Sequence, residues 1–335
     1  MLNGHGDDLY AINGKVKYNF SSNVYYKGCP ESLLNHIAKC VNEIQSYPSP
    51  VAQELNILAA NKFQLNSDQF LFTNGATEAF YLIAQWFKGK TASIVAPTFA
   101  EYEDACKSFN LKYKLISKSE LINVNTNLVF ICNPNNPDGS VFTSIELESL
   151  FQNNPKTTFI IDEAYIEFTN ETTSIISLVQ QYLNLIVVRS LTKTFTMPGL
   201  RLGYIVSNTS MIQNLLTLKM PWTVNTLAIK AGEFIFEHYE DLIFDAQLLL
   251  DETKYFQQRL SRLSCINIKQ SYTSYFLMEL NLDKASKLKE YLINQHQILV
   301  RDATNFNGLD GEYIRVATQS SSANQCLIEA LEKWK

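Results

Sequence analysis

The chain has 335 residues, of which 46% are apolar and 18% charged, and its formal net charge is -5 at pH 7. This apolar content can supply one large domain and a smaller one, whereas the small acidic charge and the lack of a basic helical stripe argue against nucleic acid or an anionic membrane as the main partner. The six cysteines form no Cys-x-x-Cys pair, which argues against a zinc site and against a disulfide framework.

The middle of the chain alternates short apolar segments with longer helical patterns. We predict strands at residues 70–73, 92–96, 128–132, 159–162 and 185–189, and helices at residues 77–87, 100–109, 144–152 and 174–182. Strands that are apolar throughout are typical of parallel sheets, which are buried on both faces. The alternation predicts βαβ units and an α/β fold with a mainly parallel sheet.

The pattern changes after about residue 225. A long helical run to residue 263 precedes a strand at 275–280, a helix at 284–295, strands at 298–301 and 313–317, and a final helix. These elements predict a compact α+β unit. We predict a large domain at residues 46–240 and a small domain formed by both termini, residues 1–45 and 241–335.

Lys193 lies in the segment RSLTKTFTMPGLRLGY, residues 189–204, directly after a predicted strand. Most isolated lysines are solvated surface residues. A lysine amine can also form a Schiff base with an aldehyde, and hydroxyl and guanidinium groups nearby can bind a phosphate. This combination indicates pyridoxal 5'-phosphate (PLP) as the cofactor, with Lys193 as the catalytic residue.

Asp162 ends the predicted strand at 159–162, where an unpaired charge is costly to bury. A carboxylate facing the pyridine nitrogen of PLP keeps that nitrogen protonated, although a helix cap is the alternative for this aspartate. Tyr165 and Asn136 supply a phenol and an amide for the ring oxygen. Asn136 belongs to the turn NPNNPDG, which by itself is only a proline-rich connection.

The turn between the predicted strand at 70–73 and the following helix is a candidate phosphate site, because free N–H groups and the positive helix end face an anion there. The side chains at 190, 192 and 201 add hydroxyl and guanidinium donors. The candidate phosphate-binding residues are Gly75, Ala76, Thr77, Ser190, Thr192 and Arg201.

Tyr102, in the segment PTFAEY, is the predicted aromatic partner that stacks on the cofactor ring. Phe99 and Tyr102 are alternatively plain core residues. All these candidates follow strands of the predicted parallel sheet, and ligands of open α/β folds bind at the carboxyl ends of such strands.

Two other nucleotide motifs are disfavoured. The segment AQWFKGKT at 84–91 fits a relaxed P-loop pattern, but it ends a helix and precedes a strand, which is the reverse of a working P-loop. The Gly-x-Gly-x-x-Gly fingerprint of nicotinamide dehydrogenases does not occur.

The motifs NPNNPDG, DEAY and SLTK with PGLRLGY resemble the fold type I PLP enzymes of the class I/II aminotransferase superfamily. The branch is that of threonine-phosphate decarboxylase of cobalamin biosynthesis and histidinol-phosphate aminotransferase. The pair HG at 5–6, the segment KMPWTVN at 219–225 and the block at 298–317 are similar to the decarboxylase. The resemblance implies a large PLP-binding domain of the aspartate aminotransferase type with a smaller α+β domain.

The resemblance also implies roles on the substrate side. Contacts with the carboxylate and phosphate of a phosphorylated amino acid would come from His5, Gly6, Asn23, Arg301 and Arg315. Tyr47 would reach the cofactor phosphate of a neighbouring subunit, which implies a homodimer with a shared active site.

Three positions depart from the family pattern, and all three touch the substrate side. NVYYKG at 23–28 replaces Asn-x-Asn-Pro-x-Gly, Asp7 replaces a second glycine, and Gln319 stands where the decarboxylase often has an arginine.

The resemblance implies PLP-dependent decarboxylation of L-threonine O-3-phosphate through a Schiff base at Lys193. The alternative is an aminotransferase that acts on histidinol phosphate or another amino acid. The outcome depends on which Cα bond stands perpendicular to the ring plane. A non-catalytic PLP-dependent regulator is disfavoured, because no basic helical region precedes the PLP motifs. We expect a cytoplasmic location, because residues 1–10 lack the apolar segment of a signal peptide. We expect no metal, because the cysteines form no Cys-x-x-Cys pair.

Overall fold

The computed structural model describes residues 6–12 and 15–334. The strands in these ranges are β1 (Tyr18–Asn19), β2 (Phe70–Asn74), β3 (Thr91–Val95), β4 (Lys112–Ile116), β5 (Leu128–Cys132), β6 (Thr158–Asp162), β7 (Leu185–Ser190), β8 (Leu202–Ser207), β9 (Ile266–Ile268), β10 (Tyr275–Leu280), β11 (Ile298–Leu299), β12 (Arg301–Asp302) and β13 (Tyr313–Ala317). The α-helices are α1 (Glu31–Lys39), α2 (Gln53–Phe63), α3 (Gly75–Trp86), α4 (Glu101–Ser108), α5 (Ser144–Asn153), α6 (Thr209–Leu216), α7 (Thr226–Glu237), α8 (Tyr239–Leu242), α9 (Ala246–Leu260), α10 (Ala285–His296) and α11 (Ser321–Glu332).

A seven-stranded sheet with the strand order β2-β8-β7-β6-β5-β3-β4 forms the centre of the larger part of the chain. The strands β4, β3, β5, β6 and β7 pair in parallel, whereas β8 runs antiparallel to both of its neighbours. The predicted α/β fold with a mainly parallel sheet is therefore confirmed.

Both faces of this sheet are buried, which explains its uninterrupted apolar strands. Successive side chains of β5 alternate between two cores, so that Val129 and Ile131 contribute to one and Phe130 to the other. Residues of α2, α5 and α7 cover the first face, and residues of α3, α4 and α6 cover the second.

The parallel strands end at one edge of the sheet, and this edge positions the functional side chains. Strand β5 ends at Cys132, β6 at Asp162 and β7 at Ser190, and β2 ends at Asn74 on the far side of β8. Residues from distant parts of the sequence are thereby brought to the same edge.

The chain ends form a second α+β unit. Strands β12, β13, β10 and β9 make an antiparallel sheet, and β1 pairs in parallel with β11. Phe20, close to the amino terminus, is fully buried in one core with Phe256, Leu292 and Leu327. This shared core supports the grouping of both chain ends, while the predicted domain limits at residues 46 and 240 stay a prediction.

Several predicted elements are wrong in detail. The predicted helix at 174–182 is a short 3-10 helix, Ile176–Gln180, because the Ser174 hydroxyl and the Ile175 N–H donate to the Glu163 carboxylate and hold these two residues in an irregular segment. The predicted run from 225 to 263 is interrupted twice, between α7, α8 and α9. The predicted strand at 298–301 divides, because β11 pairs with β1 and β12 with β13.

The predictions also missed two strands of the large sheet. Strand β4 lies at its edge, and β8 runs antiparallel to its neighbours. Within the ranges that the structure describes, no helix has the length and apolar character needed to cross a membrane.

Candidate active site

A pocket of about 490 Å³ opens at the carboxyl edge of the seven-stranded sheet. It adjoins a second pocket of about 320 Å³ against the smaller unit, and both are lined by Phe99 and Asn136. The larger pocket is lined by Ala76, Thr77, Phe80, Phe99, Cys132, Asn136, Asp162, Ala164, Tyr165, Ser190, Thr192, Lys193 and Arg201.

Lys193 lies in the turn after β7, and its side chain lines the larger pocket. Burial lowers the pKa of its amine from 10.5 to about 8, and the charges of Arg201 and Arg315 act in the same direction. A lower pKa leaves a larger fraction of the amine unprotonated near neutral pH. The unprotonated amine is the nucleophile that reacts with aldehydes.

Asp162, the last residue of β6, is 4% exposed and lines the same pocket. One carboxylate oxygen accepts the backbone N–H of Ala164 at 2.9 Å, and the other accepts the Tyr102 hydroxyl at 2.6 Å. Burial raises the pKa of Asp162 to about 6, while these donors and the Lys193 charge oppose the rise. The site thus holds a buried carboxylate whose ionised form is stabilised by neighbouring donors and charge.

Asn136 and Tyr165 both reach the pocket, as the sequence predicted for the ring-oxygen partners. The Arg315 guanidinium of β13 donates to the Asn136 side-chain oxygen and, at 2.7 Å, to the carbonyl of Ser21. The Tyr165 ring packs edge-on against Tyr275 with centroids 4.9 Å apart. The smaller unit therefore contacts the pocket wall directly through Arg315.

The start of α3 and Arg201 form the candidate phosphate site. Gly75 has a positive φ of 73°, and a Cβ built there would lie 2.4 Å from an Arg201 nitrogen. Only a glycine lets the guanidinium lie against the first turn of the helix. Ala76 and Thr77 line the pocket beside it, and Ser190 and Thr192, whose hydroxyls are 2.8 Å apart, line the same pocket.

The prediction that Tyr102 stacks on the cofactor ring needs correction. The Tyr102 ring is fully buried and stacks on Phe130, with centroids 5.2 Å apart, while its hydroxyl is bonded to Asp162. Tyr102 does not line the pocket, but Phe99 of the same PTFAEY segment does. The first residues of α4 turn Tyr102 into the core of the second sheet face, and the sequence alone did not distinguish the two rings.

The smaller pocket contains the predicted substrate residues Gly6, Arg301 and Arg315. Burial and the Arg315 charge lower the pKa of Arg301 to about 10. Arg301 donates to the side-chain oxygen of Asn305 at 2.6 Å. The Nε of Arg315 is buried and has no hydrogen-bond partner in the described parts of the chain, so one donor of this guanidinium remains for a ligand.

The other substrate-side predictions have different outcomes. Asn23 is buried beside Tyr165, whereas His5 lies outside the described residues. A Cβ at Gly6 would lie 2.9 Å from an Arg315 nitrogen, so the glycine allows a close approach. Gln319 donates to the Ala317 carbonyl at 3.3 Å and lines neither of the two pockets.

The departure at 23–28 has a structural role beside Lys193. Tyr25 stacks on Phe244 with centroids 4.2 Å apart, and its backbone N–H donates to the Lys193 carbonyl at 3.0 Å. The Thr196 hydroxyl donates to the Tyr25 carbonyl at 2.8 Å. The segment that departs from the family pattern is therefore bound to the turn that carries Lys193.

Sequence reasoning missed a buried charge network next to this turn. Arg189 forms ion pairs with Glu163, at 3.2 Å, and with Glu167, and the Thr194 hydroxyl donates to Glu167 at 3.2 Å. Glu163 follows Asp162 in the chain, and Thr194 follows Lys193. The network joins the two backbone segments that carry these functional groups. The one sequence signal that could have revealed it is that charged residues stand directly beside the functional ones in the chain.

Tyr47 is 87% exposed and lies away from the Lys193 pocket, with its ring 5.4 Å from that of Trp222. It lines a separate surface depression with Ile44 and Trp222. Its predicted contact with a neighbouring subunit stays a prediction.

Comparison with known proteins agrees with this arrangement. The family model described as Aminotransferase class I and II matches residues 15–331. The threonine-phosphate decarboxylase of Salmonella typhimurium is 30% identical over 338 residues, with 96% of this chain and 92% of the relative covered. The histidinol-phosphate aminotransferase of Caldanaerobacter subterraneus is 29% identical over 344 residues, with 96% and 94% covered.

A solved structure gives the same result. The crystal structure of L-threonine-O-3-phosphate decarboxylase from Porphyromonas gingivalis is similar with a TM-score of 0.92 at 36% sequence identity, covering 95% of this chain and 99% of that chain. Because the family model spans most of the sequence and the likeness extends over nearly the whole fold, the chain belongs to the class I and II aminotransferase family.

Proposed function

We propose that the protein is a PLP-dependent enzyme that removes the carboxylate of L-threonine O-3-phosphate as carbon dioxide. The observation that carries the proposal is the pair of buried guanidinium groups, Arg301 and Arg315, in a pocket that meets the Lys193 pocket. A substrate with a carboxylate and a phosphate matches two guanidinium groups. The decarboxylases of S. typhimurium and P. gingivalis support this substrate.

The residues present fit PLP. The first turn of α3 beside Arg201 offers an anion site for the cofactor phosphate, and the Lys193 amine has the lowered pKa that an aldehyde-binding lysine needs. Asp162 offers a buried carboxylate for the ring nitrogen. Phe99, rather than Tyr102, offers an aromatic face in the pocket.

The chain's own side chains would then share the work. PLP, when bound, supplies an electron sink that weakens one bond at the substrate Cα. Asp162 would keep a proton on the ring nitrogen, because an ionised carboxylate stabilises an adjacent cation. Arg301 and Arg315 would hold the two anionic groups and so decide which Cα bond is weakened. Lys193 would move a proton to or from Cα.

An aminotransferase is the second candidate, and the observation that favours it is the negative charge of Asp7 near Lys193. The Asp7 carboxylate is close enough to raise the pKa of Lys193 against the effects of Arg201 and Arg315. It also accepts a 2.5 Å hydrogen bond from Asn19. A fixed negative charge here opposes a dianionic phosphate and so favours an amino donor without a phosphate, and the matched family model is that of the class I and II aminotransferases.

One assay separates the candidates. Purified protein with PLP is given L-threonine O-3-phosphate, and carbon dioxide release is measured; in parallel, glutamate formation from 2-oxoglutarate is measured with amino donors that include histidinol phosphate. We expect carbon dioxide release that is absent from the Lys193→Ala variant. Glutamate formation without carbon dioxide would show that the protein is an aminotransferase, and inactivity in both assays would overturn the proposal.

We also propose that the protein acts as a homodimer in the cytoplasm. Support for the dimer comes from the exposed apolar side chains of Ile44 and Trp222, which line one surface depression with Tyr47, because exposed apolar patches mark protein interfaces. The cysteines are free and mostly buried, which fits a reducing compartment.

A further inference from the structure

Tyr102 and Asp162 form a buried hydrogen bond between two elements. The phenol hydroxyl donates to one Asp162 oxygen at 2.6 Å, which is the short distance expected of a donor facing an ionised acceptor. Tyr102 is fully buried, and Asp162 is 4% exposed. A contact of this kind is strong because little water competes for either group.

The aromatic neighbours fix the direction in which this hydroxyl points. The Tyr102 ring stacks on Phe130 at 5.2 Å with an interplanar angle of 10°. Phe80 and Phe99 pack edge-on against it, with centroids at 4.8 and 5.8 Å. Because the ring has no room to turn away, the hydroxyl is presented to Asp162 before any ligand binds.

Three other groups near Asp162 also stabilise its ionised form, namely Ala164, Cys132 and Lys193. The backbone N–H of Ala164 donates to the other oxygen at 2.9 Å, and the Cys132 sulfur lies 3.9 Å from the oxygen that Tyr102 binds. Lys193 supplies a positive charge, and the Tyr165 phenol and the Cys132 thiol are further titratable groups that interact with the carboxylate. Tyr102 is thus the side-chain donor with the shortest contact to the carboxylate.

We propose that Tyr102 is a positioning residue that holds Asp162 ionised and in place, and thereby decides whether the pyridine nitrogen of bound PLP keeps its proton. This inference rests on the proposed function, because it assigns Asp162 to that nitrogen. The electrostatics of the site agree with this role. Burial raises the pKa of Asp162, and the hydrogen bond from Tyr102 is the strongest of the interactions that lower it.

Loss of the hydroxyl has a predictable direction. Without it the carboxylate binds a proton more tightly, because one donor to its charged form is gone. The proton shared between the carboxylate and the ring nitrogen then moves toward the carboxylate, which leaves the nitrogen with less positive charge. Both the attraction that holds the ring and the electron withdrawal by the ring become weaker.

The test compares Tyr102→Phe with a matched control, Tyr182→Phe. Tyr182 is also a buried tyrosine, and its hydroxyl donates to a carboxylate, Glu148, at 3.0 Å, away from the pocket. The dissociation constant of PLP is measured from pH 5 to pH 9, and the protonation of the ring nitrogen is read from the 15N chemical shift of labelled PLP. Neither readout depends on turnover.

We expect Tyr102→Phe to bind PLP about 10- to 100-fold more weakly, as for a lost hydrogen bond to a charged group, and to shift the nitrogen signal toward the unprotonated form. We expect Tyr182→Phe to match the wild type in both. A nitrogen signal and affinity in Tyr102→Phe that equal those of Tyr182→Phe would overturn the inference. If the wild type itself does not bind PLP, the proposed function is wrong, and the inference that rests on it falls as well.

A second arm uses the protein without PLP. Because the folded pKa of Asp162 is raised from 3.8 to about 6, its contribution to stability is present at low pH and is lost as the pH rises through about 6. We expect this loss to move to higher pH in Tyr102→Phe and to disappear in Asp162→Asn. If Tyr102→Phe loses stability over the same pH range as the wild type, the hydroxyl does not control Asp162.

Discussion

Burial shifts the pKa values of Lys193 and Asp162 toward each other. Lys193 falls to about 8 and Asp162 rises to about 6, in both cases chiefly because desolvation penalises the charged form. Both groups therefore change charge within reach of neutral pH, which suits a site that moves protons. The same burial means that the protein without its cofactor carries charges at a cost in stability.

This cost gives a prediction for Lys193→Met in the protein without PLP. The wild-type fold disfavours the charged amine, so it is penalised fully below about pH 8, and the penalty vanishes as the pH rises through the unfolded value of 10.5. We expect the variant to be more stable than the wild type by about 1–3 kcal/mol at pH 7. The advantage should fade between pH 8 and pH 10.5. Urea denaturation across this range measures it.

Lys254→Met serves as the control, because Lys254 is an exposed lysine of α9. We expect its free energy of unfolding to stay within about 0.5 kcal/mol of the wild type at each pH. A Lys193→Met variant that is no more stable than wild type at pH 7 would contradict the low pKa of Lys193.

The first turn of α3 shows how a single element builds an anion site. Its free N–H groups and positive end face the pocket. Arg201, the residue directly before β8, lies against this turn. The approach depends on Gly75, because the positions of its missing Cβ and of the guanidinium overlap. Helix and arginine therefore act as one unit.

We predict that Gly75→Ala weakens PLP binding about 10-fold or more, because the new methyl group displaces Arg201. Gly89→Ala is the matched control: Gly89 also has a positive φ, of 76°, but no atom lies within 4 Å of its Cβ position. Both variants lose about 1 kcal/mol of stability to backbone strain. Titration of PLP into the two apoproteins measures the difference, and equal affinities would argue against a role for Arg201 at the phosphate.

At the scale of the whole molecule, Tyr47 lies far out on the surface while the other proposed cofactor residues line or adjoin one pocket. An exposed aromatic side chain among other apolar ones is suited to contact a second copy of the chain. In a two-fold dimer each copy would complete the pocket of its partner.

A mixing experiment tests this arrangement. Lys193→Ala supplies chains with an intact Tyr47, and Tyr47→Phe supplies chains with an intact Lys193. When the two are unfolded, mixed in equal amounts and refolded at limiting PLP, we expect roughly a quarter of the wild-type activity, because half of the dimers contain one complete site. Activity equal to the average of the two parent variants would show that Tyr47 does not act across an interface.

The functional side chains at the ends of the central strands were predictable, because each one is marked by the residues directly before it in the sequence. Asp162, Asn136 and Lys193 each follow an apolar segment, and parallel strands bring such positions to one edge whatever their distance in sequence. The limits of the helix at 174–182 were not predictable, because Ser174 and Ile175 are held in an irregular segment by the Glu163 carboxylate, a partner that the local pattern does not include.

The α/β class, the run of buried strands and the polar side chains that follow them can all be read from the sequence, because hydrophobic periodicity and turn chemistry are properties of neighbouring residues. The three-dimensional fold was needed to show that Phe99 faces the pocket while Tyr102 turns inward to Asp162, and that Arg315 reaches Asn136 from the other unit. Those choices depend on how distant elements pack against one another, and local sequence carries no record of that packing.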